Sequence, residues 1–177
     1  MQPIPLKYLR GYPEPLQAQV RQLVADGGVA PLLRRKYPAL HGVRTDRALY
    51  DYVMDLKASY LRSSEPLAKV CFDGKLQQVA QALGTHTVTA RVQGSKLKTR
   101  REIRVATVFR EAPEAFLRMI VVHELAHLKE REHDKAFYQL CQHMAPDYFQ
   151  LEFDLRAYLC LLAAGGEALW ASAAVDA

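Results

Sequence analysis

An apolar run that leads directly into two histidines constrains this sequence more than any other feature. Residues 116–122 are apolar apart from Arg118, and the sequence HELAH follows at once, from His123 to His127. Residues four apart lie on one face of a helix, so these two imidazoles face the same way. A helix this apolar is buried, and polar side chains on a buried helix need a partner. The pattern predicts a central helix over about residues 113–129 that binds a metal ion.

The spacing of the histidines indicates zinc chemistry. Two imidazoles one helical turn apart hold zinc, which lowers the pKa of a bound water. Glu124 lies beside His123, so it reaches the zinc-bound water without being a ligand, and it takes the proton as the water attacks a carbonyl. We therefore expect a zinc-dependent peptidase or a related hydrolase, with Glu124 as the catalytic residue.

A catalytic zinc has three protein ligands and leaves one position for water. His133, six residues after His127, is the favoured third ligand, since a short turn after the helix would bring it back. Glu152, on a later predicted helix, is the rival. Metzincins have a glycine where this chain has Glu130, which argues against that class. Tyr138 and Tyr148 are candidate donors to the oxyanion that forms in the reaction.

The remaining periodicity predicts a mixed fold. Helical spacing recurs in the first 60 residues, with Thr45 as an N-cap, and again over 75–83, 134–144 and 147–164. Residues 67–72 suggest either a short strand or a loop. Alternating residues at 87–92 and 102–109 predict an antiparallel hairpin, with 93–101 as its basic loop. The expected fold class is α+β: a minimal zincin-like domain with a small antiparallel sheet and the HExxH helix, plus an N-terminal helical region.

Three regions are expected along the chain. Residues 1–70 form a helical N-terminal region that covers the site or binds a partner. Residues 71–165 form the zincin-like metallopeptidase domain, and 166–177 a flexible tail. Cys71, Cys141 and Cys160 are spaced too far apart for a metal knuckle and are expected to be reduced. With no signal peptide and no membrane-length apolar run, we expect a cytoplasmic protein without a membrane partner.

The stretch from Met119 to Cys141 resembles the YgjP-like metallopeptidase family, bacterial proteins described as metal-dependent hydrolases. The shared pattern is an apolar helix into HELAHLK, a short turn, a histidine at 133 and an aromatic residue at 137. The resemblance implies zinc ligands at His123, His127 and His133, with Glu124 as general acid and base and a peptide or protein as substrate. SprT-like zinc peptidases are a wider relative with a similar layout.

Two other functions fit parts of the sequence. The formal charge is +5, and Lys96, Lys98, Arg100, Arg101 and Arg104 lie close together. With the SprT-like resemblance, they suggest a DNA-associated protease or a nucleic-acid-binding protein. A non-catalytic, zinc-stabilised scaffold is the other alternative, which a closed site with four ligands would indicate.

Overall fold

The computed structural model describes residues 7–74, 88–93 and 96–170, and it shows helices around a small sheet. A 3-10 turn (Lys7–Leu9) comes first. The α-helices are α1 (Glu14–Ala25), α2 (Val29–Lys36), α3 (Asp46–Tyr60), α4 (Glu114–Ala126), α5 (Lys135–Met144) and α6 (Tyr148–Ala163). The strands are β1 (Leu67–Asp73), β2 (Val88–Gln93) and β3 (Lys96–Ala106), and a second 3-10 turn spans Thr107–Glu111.

The sheet differs from the one predicted. Its strand order is β1-β3-β2, with β2 antiparallel and β1 parallel to the central β3, so the expected antiparallel sheet is wrong and the sheet is mixed. A parallel neighbour needs a long connection that returns the chain to the same end of the sheet. Residues 74–95, which include β2, are that connection. The side-chain alternation at 67–72 carries no information about strand direction, which is why the sequence did not reveal it.

The hairpin also has different boundaries. Residues 96–101, expected in a basic loop, belong to β3, where Lys96 pairs with Gln93 and Arg101 with Val88. The strand ends at Ala106, and the predicted strand residues after it form the second 3-10 turn. The helix predicted over 75–83 lies outside the described residues.

Helix α4 lies at the centre of the molecule. Ten of its residues are buried, from Phe116 to Ala126 with only Arg118 left out. An apolar surface on every side requires packing on every side. Accordingly α4 contacts α3 and β3 as well as α5 and α6. Pro113 precedes the helix as its N-cap, and Glu114 occupies the first turn, where a negative charge is favourable.

The N-terminal helices share this core. Val20 of α1, Leu33 of α2 and Leu49 of α3 are buried in the same hydrophobic cluster as Phe116. The Thr45 side chain accepts a hydrogen bond from the Ala48 amide at 3.1 Å, which confirms the predicted N-cap. The division of the chain at residue 70 stays a prediction. No helix within the described ranges combines the length and the apolar character that crossing a membrane requires.

Candidate metal centre

Three histidines converge at the end of α4. The Nε2 atom of His133 lies 3.1 Å from that of His127 and 3.2 Å from that of His123. Zinc bound by imidazole at about 2.0–2.1 Å in tetrahedral geometry holds its ligand nitrogens roughly 3.3 Å apart. Three neutral imidazoles that direct their nitrogens at one point therefore fit a single small cation. Within the described part of the chain, the ligand atoms of these three histidines all lie within 4.8 Å of one another, close enough to hold a metal ion together.

Local structure explains how each histidine reaches this point. Both His123 and the C-cap residue His127 have helical backbone conformations, so one turn separates their rings. A tight turn follows, in which the Lys129 and Glu130 amides both donate to the Ala126 carbonyl at 3.0 Å. The chain then returns to His133, directly before the α5 N-cap. His123 and His127 are 2% exposed, whereas His133 is exposed.

A single aromatic ring supports all three imidazoles. The Phe137 ring, fully buried on α5, lies 4.9 Å from the ring of His123, 4.6 Å from that of His127 and 4.8 Å from that of His133. Such contacts restrict the rotamers of the three rings together. Phe137, the aromatic residue four positions after His133 in the sequence pattern, therefore packs against all three rings of the metal cluster.

Each buried histidine uses its second ring nitrogen inside the protein. His127 Nδ1 lies 2.9 Å from the Glu130 carbonyl oxygen, and His123 Nδ1 lies 2.7 Å from the Tyr148 hydroxyl. Partners of this kind fix the orientation of metal-binding imidazoles. Tyr148 was expected as a possible oxyanion donor, but its hydroxyl is buried and directed at His123. Tyr138 is half-buried, with its ring 6.4 Å from that of His133.

Glu124 is 2% exposed and lies beside His123 on α4. Burial raises the pKa of its carboxyl well above the usual range, because a charge is poorly solvated there. The positive charge of a bound cation would act in the opposite direction and favour the carboxylate.

The rival ligand Glu152 is paired with Arg156. Its Oε1 atom accepts hydrogen bonds from Arg156, at 2.7 Å from Nη2 and 3.2 Å from Nε. A carboxylate neutralised by a guanidinium is a poor metal ligand. The structure thus brings His133, and not Glu152, to the two histidines of α4.

Arg101 is a residue that the sequence did not single out for this site. Its Nη1 atom donates to the carbonyls of His127 and Leu128, both at 3.3 Å, and its Nε atom donates to Glu65 at 2.5 Å. The last carbonyls of a helix lack partners within it, and a cation is favourable there. Arg101 therefore caps α4 and connects it to the sheet.

Comparison with known proteins supports a metal-dependent hydrolase. A family model described as YgjP-like, metallopeptidase domain matches residues 61–158, which is more than half of the chain. The chain is also 58% identical, over 160 residues, to a protein of Escherichia coli (strain K12) named UTP pyrophosphatase; the alignment covers 90% of this chain and 96% of that one. No solved structure matches it significantly. A half-chain match that contains the whole histidine cluster shows that this chain belongs to the YgjP-like family of metal-dependent hydrolases.

Proposed function

We propose that this chain is a zinc-dependent hydrolase that cleaves a phosphoanhydride bond of UTP to release UMP and pyrophosphate. The observation that carries the hydrolase assignment is the convergence of three imidazole Nε2 atoms beside the buried Glu124. The substrate is taken from the E. coli relative, whose similarity extends over nearly the whole of both chains. Zinc is proposed because a set of neutral imidazoles suits it well, although the same donors also accept other transition metals.

The histidines and Glu124 have separate roles in the proposed reaction. His123, His127 and His133 would hold the ion, which supplies Lewis-acid chemistry by polarising an oxygen of the substrate and lowering the pKa of water. Glu124 takes a proton from the attacking water. The water oxygen bonds to the α-phosphorus as the bond from that phosphorus to the bridging oxygen breaks. Glu124 then passes the proton to the leaving pyrophosphate.

An aromatic surface beside the cluster supports a nucleotide substrate. The Tyr138 ring lies 6.4 Å from that of the exposed ligand His133 and 5.3 Å from that of Phe149. Phe149 is 46% exposed, more than any other large apolar side chain among the described residues. Flat aromatic faces stack on nucleobases. We propose that uracil lies on Phe149 while the phosphates reach the metal centre.

The basic segment is consistent with a polyanionic substrate. Residues 88–106 contain six lysines and arginines but one acidic residue. Two of these cations are already used, because Arg101 pairs with Glu65 and Arg104 pairs with Asp73 and Glu102. Because Arg101 and Arg104 already have carboxylate partners, the segment offers less positive charge to a long nucleic acid than its sequence suggested, which favours a compact triphosphate. Nucleic-acid binding stays a prediction.

Peptide hydrolysis is the second candidate, and the description of the matching family model as a metallopeptidase domain favours it. The same three imidazoles and the same base would act on a peptide carbonyl. The two candidates differ in substrate and share the metal chemistry. The non-catalytic scaffold is less favoured, since a structural zinc site has four protein ligands and the cluster has three members within the described residues.

The test is a substrate panel with one matched variant. The chain would be stripped of metal with a chelator, reloaded with zinc and incubated with UTP, CTP, ATP and an unfolded protein. Zinc-dependent formation of UMP and pyrophosphate, absent in Glu124→Gln, is the expected result. Glu124-dependent cleavage of the protein without nucleotide hydrolysis would overturn the proposal in favour of the second candidate. Release of UDP and phosphate would overturn the assignment of the cleaved bond.

A further inference from the structure

The two buried histidines of the metal cluster have different kinds of partner at Nδ1. His127 faces the Glu130 carbonyl, which can only accept, so its Nδ1 carries the hydrogen and its Nε2 has a lone pair. His123 faces the Tyr148 hydroxyl, which can either donate or accept. The backbone thus fixes one tautomer, whereas the other depends on which way a hydroxyl points.

The direction of that hydroxyl decides whether His123 can bind a cation. If Tyr148 donates to Nδ1, the ring hydrogen lies on Nε2, which then faces the other two imidazoles and cannot be a ligand. If Tyr148 accepts from Nδ1, Nε2 has its lone pair free for the ion. The second arrangement requires another acceptor for the hydroxyl hydrogen of Tyr148.

The nearby thiol of Cys141 is the candidate acceptor. Its side chain lies on α5, is fully buried, and is close enough to Tyr148 for the hydroxyl to act on the pKa of the thiol, although burial raises that pKa overall. Sulfur is a weak acceptor, but Tyr148 is also fully buried, so water is not available to accept the hydrogen of its hydroxyl. With this assignment, His123 Nδ1–H donates to Tyr148 and the Tyr148 hydroxyl donates to Cys141.

We propose that Tyr148 is a positioning residue for the metal ligand His123, and that Cys141 sets the direction of the hydrogen bond between them. The inference rests on the proposed role of His123 as a metal ligand, but it is independent of the substrate. It assigns a function to a buried tyrosine and a buried cysteine that the reaction itself does not use.

The primary test compares two tyrosines of the same helix. Tyr148→Phe removes the hydroxyl that faces His123. Tyr158→Phe is the matched control, because Tyr158 is 1% exposed and its hydroxyl accepts from the Leu169 amide at 3.4 Å rather than facing a metal ligand. Zinc affinity would be measured by competition with a chromogenic chelator. Loss of a ligand's partner typically weakens metal binding by about 10–100-fold, which is the result expected for Tyr148→Phe, with none for Tyr158→Phe.

Cys141 provides a second pair of variants that stays informative if Tyr148→Phe does not fold. Cys141→Ser retains an acceptor for the tyrosine hydroxyl, and Cys141→Ala removes it. We expect serine to preserve zinc affinity and alanine to weaken it. Equal affinities in the serine and alanine variants would overturn the role of Cys141, and equal affinities in the two phenylalanine variants would overturn the role of Tyr148.

The readout separates this inference from the proposed function. If zinc affinity depended on Tyr148 but the chain hydrolysed no UTP, the proposed function would be wrong and the positioning role would stand. Unchanged zinc affinity in Tyr148→Phe, in a chain that still hydrolyses UTP, would do the reverse.

Discussion

Two polar clusters of the described residues are built in opposite ways. The first is the metal cluster of His123, His127 and His133. The second, here the Asp154 cluster, joins α2 to α6: the Asp154 carboxylate, 5% exposed, accepts from Lys36, from the Tyr37 hydroxyl at 2.6 Å and from Gln150 at 2.9 Å. In the Asp154 cluster each donor meets an acceptor.

The metal cluster instead brings like groups together. The Nε2 atom of His133 lies 3.1 Å from that of His127 and 3.2 Å from that of His123, distances at which neutral imidazoles with inward lone pairs repel one another. Buried polar groups normally find complementary partners in the protein. Protein groups complete the Asp154 cluster, so its contribution is to stability. A bound cation would complete the metal cluster, so we expect its contribution to be to chemistry.

The largest expected effect is on catalysis and follows from Glu124→Gln. The amide has nearly the same shape but cannot take a proton, so kcat should fall by about 10²–10⁴. Zinc content and thermal stability should remain those of the unchanged chain. Steady-state UTP hydrolysis together with metal analysis measures both. Undiminished kcat in a zinc-loaded Glu124→Gln chain would show that the base lies elsewhere.

His133→Ala should lower zinc affinity while stability changes little. The side chain is exposed, so its removal leaves no cavity, but the cluster loses one of three ligands. Removing the hydrogen-bond partner of a ligand weakens metal affinity by roughly 10–100-fold, so we expect a larger loss of zinc affinity when the ligand itself is removed. Excess zinc should partly restore activity. Glu152→Gln is the comparison. If that variant lost zinc and His133→Ala did not, the choice of third ligand would be wrong.

Phe149→Ala tests whether the metal cluster opens onto a nucleotide surface. Loss of a stacking face costs about 1–3 kcal/mol per base, so KM for UTP should rise by roughly 5-fold or more. Hydrolysis of inorganic tripolyphosphate, which has no base, should be unaffected. Leu32→Ala, at a 38% exposed apolar residue of α2, controls for the general effect of removing an exposed apolar side chain. An equal change with both substrates would contradict stacking.

The residues at the centre of the site could be predicted from the sequence, but the residues that surround them could not. The apolar run before His123 and the i, i+4 spacing are local signals, and both the central helix and the pairing of His123 with His127 follow from them. His133 was reachable because only a short turn separates it from α4. These features depend on neighbours within about ten residues.

Features that depend on distant contacts were not predictable. The parallel pairing of β1 with β3 is decided by a connection of more than twenty residues, and no side chain in β1 indicates it. Arg101 was interpreted as part of a basic loop, although its guanidinium caps α4 through carbonyls 26 and 27 residues away. For Tyr148 the sequence indicates only a candidate donor to the oxyanion, because its 2.7 Å contact with His123 Nδ1 joins residues 25 positions apart.

The smallest effect on activity is expected at the Asp154 cluster. Asp154→Ala leaves three donors without their acceptor, but Lys36 is 41% exposed and can turn to water. We therefore expect a loss of about 1–3 kcal/mol in the free energy of unfolding, with zinc content and kcat unchanged. Urea denaturation measures the first, and the assay with saturating zinc measures the second. Asp51→Ala, which breaks the exposed Arg47–Asp51 pair, is the matched control and should cost at most about 0.5 kcal/mol. A fall in kcat without a loss of stability would place Asp154 in the reaction and remove the distinction between the two clusters.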